Sequence, residues 1–520
     1  MKSSTEQEDK KRPELFFGLV GAVGTDLALV KDLLVSTLSK YQYRSCVIRL
    51  SEILDNLGFF KDKLKDCPRE DERIERHMDA GDELREKTGL GDALALLSLT
   101  KVRDHRTQSS VEKDKPVPDT AYIFNSLKLP NEVNTLKSIY GSAFFLISVY
   151  SPRRTRVDTL SKRIAESYHE SDHSRYREKA EHLIAKDMDS GRGEYGQNVK
   201  ETFPMGDFFL RMGSESAMRA KLERFVSLIF GHPFVTPSPD EFAMFHARAT
   251  SLRSADLSRQ VGAVIVSPKG GIISAGCNEV PKSGGGHVWD GDEGDNRDFQ
   301  RGYDPNARMR EEILGEILEK MKKREMLKSP LLELDTKKLV DKMLHGEYSD
   351  LLKSARLAEL LEFGRIVHAE MSAISDAALR GVALEGATLY CTTFPCHMCA
   401  RHIISTGVVR VVFIEPYPKS MAEELYSCSV VVDPDDSLPR GEKVVFESFC
   451  GVSPNRFMDL FTMPGKRKDD SGRRVSWQES KASLRAFFYP AYTQAEDTLL
   501  DALLETITTK FKLTETPNLS

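Results

Sequence analysis

Two short stretches about 25 positions apart carry the chemistry of this sequence. His368-Ala369-Glu370 sets a carboxylate two residues after an imidazole, and Pro395-Cys396-His397-Met398-Cys399 sets two thiols three residues apart. One imidazole and two thiolates suit a catalytic Zn²⁺, which takes three protein ligands and keeps a fourth position for water. The two thiolates cancel the formal charge of the ion, yet the ion still acidifies its water towards hydroxide. Glu370 is too close to His368 in sequence to ligate easily beside it, but it can sit over the open position and carry protons. Cys396 and Cys399 lie one helical turn apart, and Pro395 suits the first helical position. The dipole at a helix start favours thiolate. The competing reading is a structural zinc knot, or free thiols beside a core histidine. A structural site usually supplies a fourth Cys or His and has no use for an acid beside its histidine. The candidate ligands are therefore His368, Cys396 and Cys399, and the candidate catalytic residue is Glu370.

The elements that must position these groups belong to a long chain. Its 520 residues suffice for two to four domains, each with its own core. The composition is 40% hydrophobic and 29% charged with net charge −5, which lacks the basic excess of a dedicated nucleic-acid binder. Eight scattered cysteines give no disulfide framework, so a reducing cytoplasm is expected. Lys10-Lys11-Arg12 before the apolar run Leu15–Val20 imitates a secretory signal, but Asp26 soon interrupts it and no cleavage pattern follows. No segment reaches the roughly 18 apolar residues needed to span a membrane, so no membrane association is expected.

Residues 1–13 read as a disordered tail and 14–235 as a nucleotide-binding α/β domain. Leu15–Val20 is a buried first strand, followed by a glycine-rich turn and a helix with Leu27, Val30, Leu33, Leu34 and Leu38 on one face. A second strand is expected at Val47–Leu50, further ones at 121–124 and 143–149, and a helix over Ser126–Gly141. Strand, glycine turn and helix are the context of a phosphate-binding loop, because helix-start amides and the dipole attract phosphate. Gly21, Gly24 and Thr25 are the candidate nucleotide contacts. The turn departs from the G-x-x-x-x-G-K-[ST] pattern: Thr25 directly follows Gly24, the lysine is missing, and the glycine spacing is off by one. Binding without efficient phosphoryl transfer is the expectation, with or without Mg²⁺. Arg153, Arg154, Arg156 and Arg163 stand where a nucleotide kinase places a phosphate-clamping lid, and a solvated charged helix explains them about as well. This half is similar to the P-loop nucleotide kinases, which implies a parallel sheet with flanking helices.

The second domain is read over 236–460, with a helical insertion over 284–364 and a C-terminal extension over 461–520. A helix begins at Phe242, a strand at Gln260–Val266 turns at Pro268-Lys269-Gly270-Gly271 into a hairpin partner, and Asn278 closes the hairpin. The insertion opens glycine-rich and acidic (Asp290, Asp292, Asp295), a solvated loop rather than a cation site. The strand Ala387–Thr393 and the strand Val408–Glu415 then flank the Cys396 helix. Zinc ligands at the starts of two helices facing one sheet make an α/β/α sandwich. Cys391 reads as core, His397 and His402 lack ligand spacing, and the basic run Lys466–Arg474 reads as solvated.

From Ala249 onward the residues resemble deoxycytidylate deaminases. Leu252-Arg253-Ser254-Ala255-Asp256, Gln260–Ile265, Asn278-Glu279-Val280-Pro281, Phe394–Ala400 and Ile403–Val408 carry the resemblance. It implies a cytidine-deaminase-like sandwich, one catalytic Zn²⁺ on His368, Cys396 and Cys399, Glu370 as proton shuttle, Asn278 against the sugar hydroxyl and the Ala369 backbone against the pyrimidine carbonyl. The whole arrangement is similar to the bacterial anti-phage deoxycytidine-nucleotide deaminases. That likeness implies action on free dCTP and dCMP, a homo-oligomer, and in some systems a small inhibitory RNA. The long insertion and the N-terminal half depart from ordinary deoxycytidylate deaminases, so their allosteric sites do not carry over. Two other readings compete. A polynucleotide-editing deaminase would need a basic groove with stacking aromatics. A nucleotide kinase or switch with a merely structural zinc would need the missing loop lysine. Arg259, Arg297, Lys419 and the insertion are each within sequence reach of a substrate phosphate.

Overall fold

The computed structural model describes residues 12–65, 67–109, 115–191, 193–353, 355, 357, 360, 362–416, 420–434, 442–485 and 492–513. Most of the tail expected over 1–13, and Lys419, lie outside them. The chain divides into two compact units, one of residues up to Glu241 together with those from Ser448 onward, the other Phe242–Glu447. Among the described residues no helix is long and apolar enough to cross a membrane.

In the first unit, strand β1 (Leu15–Gly21) is buried at all seven positions. It needs a continuous apolar run because a central parallel strand is covered on both faces. Helix α1 (Leu27–Lys40) follows, its N-terminus capped by Asp26, whose Oδ1 accepts the Leu29 amide at 3.0 Å. Strand β2 is Arg44–Arg49, three residues earlier than the expected start, and Leu50 already opens a helix. After helix α2 (Ala93–Ser109) come β3 (Thr120–Asn125), helix α3 (Pro130–Tyr140) and β4 (Phe144–Tyr150). Helix α3 starts four residues later than expected, because the residue before Pro130 is forced into an extended conformation. Helices α4 (Arg153–Ser167) and α5 (Arg177–Met188) precede β5 (Phe208–Arg211). The sheet runs in the order β5-β4-β1-β3-β2 with every one of these pairs parallel.

Residues from Ser448 onward, read from sequence partly as the second domain and partly as an extension, complete this unit. Gly451–Val452 adds an antiparallel strand beside β5. The helix Tyr492–Lys510 supplies Glu496 to a buried ionic cluster. Arg106 of α2 donates to both oxygens of Glu14 at 3.0 and 2.8 Å and to Glu496, and Glu14 also accepts from Tyr492, Tyr122 and the Val117 amide. All three charged side chains are buried. Such a cluster contributes little over an apolar substitute, but breaking it strands charge in the interior. Arg106→Met is therefore expected to destabilise the first unit by about 3–5 kcal/mol, read as the earlier of two transitions in chemical unfolding.

The second unit is built on strands β6 (Gly262–Val266), β7 (Ile272–Cys277), β8 (Thr388–Thr393), β9 (Arg410–Glu415), β10 (Val430–Val432) and β11 (Val444–Ser448), in the order β10-β11-β9-β8-β6-β7. β6 is antiparallel to β7 and β8, while β8 and β9 are parallel. The insertion carries helix α6 (Pro305–Lys323), started by the Asp304 cap and Pro305. Helices α7 (Ala369–Leu379) and α8 (His397–Ser405) pack on the sheet over one core containing Ala263, Ala373, Leu389, Cys391 and Ile403. All eight cysteines are free thiols. The basic run near Lys466 is exposed, and within it Arg467 donates to the Pro233 carbonyl.

Candidate active site

Two helix starts meet above the second sheet. His368 is the N-cap of α7 and Cys396 the N-cap of α8, both extended in backbone. Pro395 therefore precedes the cap instead of taking the first helical position, and His397 is the first helical residue. An extended Cys396 turns its thiol out of the helix axis towards His368. Cys399, one turn later, meets it there. His368 Nδ1 lies 3.4 Å from each sulfur, and the three donor atoms lie within 4.8 Å of one another. Tetrahedral zinc with Zn–S near 2.3 Å and Zn–N near 2.0–2.1 Å needs an N···S separation of about 3.6 Å. The donor set and its spacing fit the ion. It is the one such cluster of three or more ligand-type side chains among the described residues.

Charge inside the cluster is unevenly held. A hydrogen bond from Cys399 brings the Cys396 thiol down to about 4 against its burial, and the bond to Cys396 lifts His368 to about 9. The same Cys396 contact, with burial, pushes Cys399 well above the usual thiol range. Zinc ligation needs deprotonated thiols and a neutral imidazole, so metal entry displaces protons from the cluster as a whole. Glu370, in the first turn of α7, is buried, which raises its carboxyl, and negative Cys396 raises it further.

The backbone beneath these groups is closely fitted. A Cβ on Gly276 would stand 2.4 Å from the Ala373 nitrogen and 2.5 Å from the Ala369 oxygen. Only glycine at that point of β7 lets α7 lie directly on the strand. Glu279 and Val367 exchange backbone hydrogen bonds at 3.2 and 3.1 Å, fixing the residue before His368. The buried Glu279 carboxylate accepts the Ala255 amide at 2.9 Å and so ties down the loop that follows the first helix of the unit.

His368, Ala369, Glu370 and Cys396 open into a cavity of about 340 Å³ whose wall also includes Asn278, Arg259, Phe394 and Arg365. That volume lies in the ordinary range of small-molecule sites. Ala369 is the first residue of α7, where helix geometry leaves an N–H without an intrahelical partner. Asn278 stands in the wall with both ends of its amide engaged: Oδ1 accepts the Val261 amide at 2.7 Å, and Nδ2 donates to the Arg259 carbonyl at 2.8 Å. Its side chain therefore holds the 259–261 segment that forms one side of the cavity. Asn278→Ala is expected to raise KM for the cavity's substrate and to cost about 1–3 kcal/mol of stability through the buried groups left unpaired. Steady-state kinetics beside an unfolding curve measure both.

Of the residues within reach of a phosphate, Arg259 lines the cavity, whereas Arg297 is buried against Asp295 and Glu279. The acidic loop is spent on neighbours, Asp292 on Lys282 and Asp295 on Arg297. The insertion contributes more of the wall than its sequence discloses: Asp298, Asp304 and Asn306 from around the start of α6, and Gly364 from its end, with Arg365 directly after it. Arg365 and Asp298 pair at 2.7 Å. Asp304-Pro305 was readable as a helix start, but nothing in it showed that the helix start faces the zinc ligands.

Gly21, Gly24 and Thr25 lie together in the first unit. Gly24 has φ +87°, and a Cβ there would stand 2.6 Å from the Arg156 carbonyl, so the turn requires glycine. Arg156 is buried on α4 and donates to the Ser151 carbonyl, while Arg153, Arg154 and Arg163 are exposed. Lys31 is paired with Asp32.

The chain is similar to known proteins in the region around the site. The deoxycytidylate deaminase of Enterobacteria phage T4 is 44% identical over 54 residues, 10% of this chain and 28% of that protein. A probable deoxycytidylate deaminase of Caenorhabditis elegans is 27% identical over 169 residues, 32% of this chain and 53% of that one. The chain thus spans under a third of the phage enzyme's length. A crystal structure of dCMP deaminase from cyanophage S-TIM5 in complex with dCMP and dUMP aligns at 18% identity and a TM-score of 0.23, covering 41% of this chain and 99% of that one. Residues 237–415 match the family described as the cytidine and deoxycytidylate deaminase zinc-binding region. The unit spanning Phe242–Glu447 is a cytidine and deoxycytidylate deaminase-like domain.

Proposed function

We propose that the chain is a zinc-dependent hydrolytic deaminase of free deoxycytidine nucleotides, converting dCMP and dCTP to the uracil nucleotides and ammonia. The observation that carries this reading is the convergence of His368, Cys396 and Cys399 at ligand spacing, with the buried Glu370 facing the same cavity. Zinc held by those three donors supplies acidification of a water molecule. Glu370 takes the proton from that water, delivers one to N3 of the pyrimidine and passes one to the departing amine. Burial raises this carboxyl above the ordinary range, so its protonated form is easier to reach than that of an exposed glutamate. In this reading the first N–H of α7, at Ala369, donates to the ring carbonyl. Asn278 keeps the 259–261 segment in position beside the sugar, and Arg259 and Arg365 are the cations of the wall that a phosphate would meet, Arg365 already being paired with Asp298.

Four acids in the wall, Asp256, Asp298, Asp304 and Glu370, against two arginines argue for a small nucleotide over a polynucleotide. A nucleic-acid strand calls for a basic groove with stacking aromatics. Depletion of the deoxycytidine nucleotide pool in defence against phage, a homo-oligomeric assembly and restraint by a small RNA extend the same reading, supported by the resemblance drawn from sequence. The test is to incubate the purified protein with dCMP, dCTP and a cytosine-containing oligonucleotide and measure ammonia and uracil products. Turnover of either mononucleotide and none of the oligonucleotide is expected; turnover of the oligonucleotide alone would overturn the reading.

A further inference from the structure

The glycine turn of the first unit already holds an anion, and it belongs to the protein. Asp187, fully buried near the end of α5, accepts the Val23 amide at 2.7 Å through Oδ2 and faces Lys128 Nζ at 2.8 Å through Oδ1. Lys128 also donates to the Gly21 carbonyl at 3.0 Å, so one ammonium bridges the start of the turn and the carboxylate. Arg156 backs the turn at Gly24 and interacts electrostatically with Asp187. The start of α1 is not the seat, since Asp26 already caps it.

Two further groups point to a ligand. Thr25 Oγ1 and Arg156 Nη1 are buried and have no hydrogen-bond partner among the described residues, and each residue is only 9% exposed. A buried hydroxyl and a buried guanidinium nitrogen left unmatched are costly. Of the two carboxylate oxygens, Oδ2 accepts the Val23 amide, while Oδ1 lies at ion-pair distance from Lys128 with no hydrogen bond of its own. A phosphate offers more acceptors and more charge in the same place. Glu132, four residues after Lys128, is engaged elsewhere, accepting the Lys128 and Leu129 amides and facing Arg85. The turn follows the central strand of a parallel sheet, at the carboxyl end where open α/β sheets take ligands.

We propose that the turn Gly21–Asp26 is a phosphate seat closed by Asp187, that a nucleotide phosphate binds by displacing this carboxylate, and that Lys128 supplies the ammonium absent from the turn itself. Displacement frees the end of α5, so occupancy would be reported through that helix.

The test uses the full-length chain with two probes, ATP and inorganic tripolyphosphate, in equilibrium dialysis. Asp187→Asn keeps an acceptor for Val23 but removes the competing charge, so it should bind ATP about tenfold or more tightly than the unaltered chain. Adding Lys128→Met to that variant should abolish the gain. Binding at the second unit is common to all three proteins and cancels in the comparison. A folded Asp187→Asn protein, with unchanged zinc content and unfolding midpoint, that binds neither probe more tightly would overturn the proposal. So would a gain that survives Lys128→Met. Equal affinity for ATP and tripolyphosphate would overturn the assignment of a nucleotide. Should Asp187→Asn not fold, hydrogen exchange on the unaltered chain decides. Saturating ATP should slow exchange over 22–27 and speed it over 183–189, and no change in either segment would overturn the seat.

Discussion

Glu370→Gln should leave zinc content and the unfolding curve unchanged and lower kcat for dCMP by about 10²–10⁴-fold, the usual contribution of a positioned acid–base group. The amide matches the carboxylate in size, so a buried residue at the start of α7 is replaced without a cavity. The ligands His368, Cys396 and Cys399 are untouched. What disappears is a group that accepts one proton and donates another in the same turnover. Metal analysis beside ammonia release measures the two halves of this expectation. Retention of more than a few per cent (roughly) of normal turnover would remove Glu370 from the proton path, and loss of zinc would make it part of the metal site.

Cys396→Ala should act on the metal first. Its sulfur, like that of Cys399, lies 3.4 Å from His368 Nδ1 and is one of only three converging donors. Without it two donors remain, too few for a three-ligand site. Zinc content should fall below about one-tenth per chain and deamination should be lost with it. Because the ligands sit at two helix starts, the second unit should also lose roughly 3 kcal/mol or more of stability. Zinc measured by mass spectrometry and the midpoint of thermal unfolding check this. A chelator applied to the unaltered protein should reproduce the loss of activity. Full zinc content in the Cys396→Ala protein would refute the ligand assignment.

What sequence could disclose follows from how local each feature is. Leu15–Val20 announced a strand because burial on both faces demands an unbroken apolar run. His368, Glu370, Cys396 and Cys399 announced themselves because few combinations of residue types at that spacing have another use. The position of Pro395 was misjudged by two residues: the thiol at Cys396 must leave the helix to face His368, and a ligand geometry overrode a helix-start preference. Asn278 was legible as part of the pocket only through resemblance, and its bonds to Arg259 and Val261 depend on how the hairpin end folds back. The pairing of Lys128 with Asp187, and of Arg106 with Glu14 and Glu496, joins residues far apart in the chain. A charged residue in a helix looks solvated until its counter-ion is brought to it by the fold. Likewise Asp298 and Arg365 close a salt bridge across the insertion that no periodicity encodes.

The first unit is interrupted by the whole of the second, and this has a temporal side. During synthesis the strand at Gly451–Val452 and the acid at Glu496 emerge only after all of Phe242–Glu447. At about 5–20 residues per second, that stretch takes roughly 10–40 s to leave the ribosome. Throughout that interval Arg106 has Glu14 but not Glu496, and β5 is an open edge. The zinc-binding unit can therefore be finished and metallated while the sheet that precedes it is still waiting for its last strand. A stop codon or a protease acting between Ser448 and Glu496 would consequently spare the deaminase-like unit and cripple the one made first.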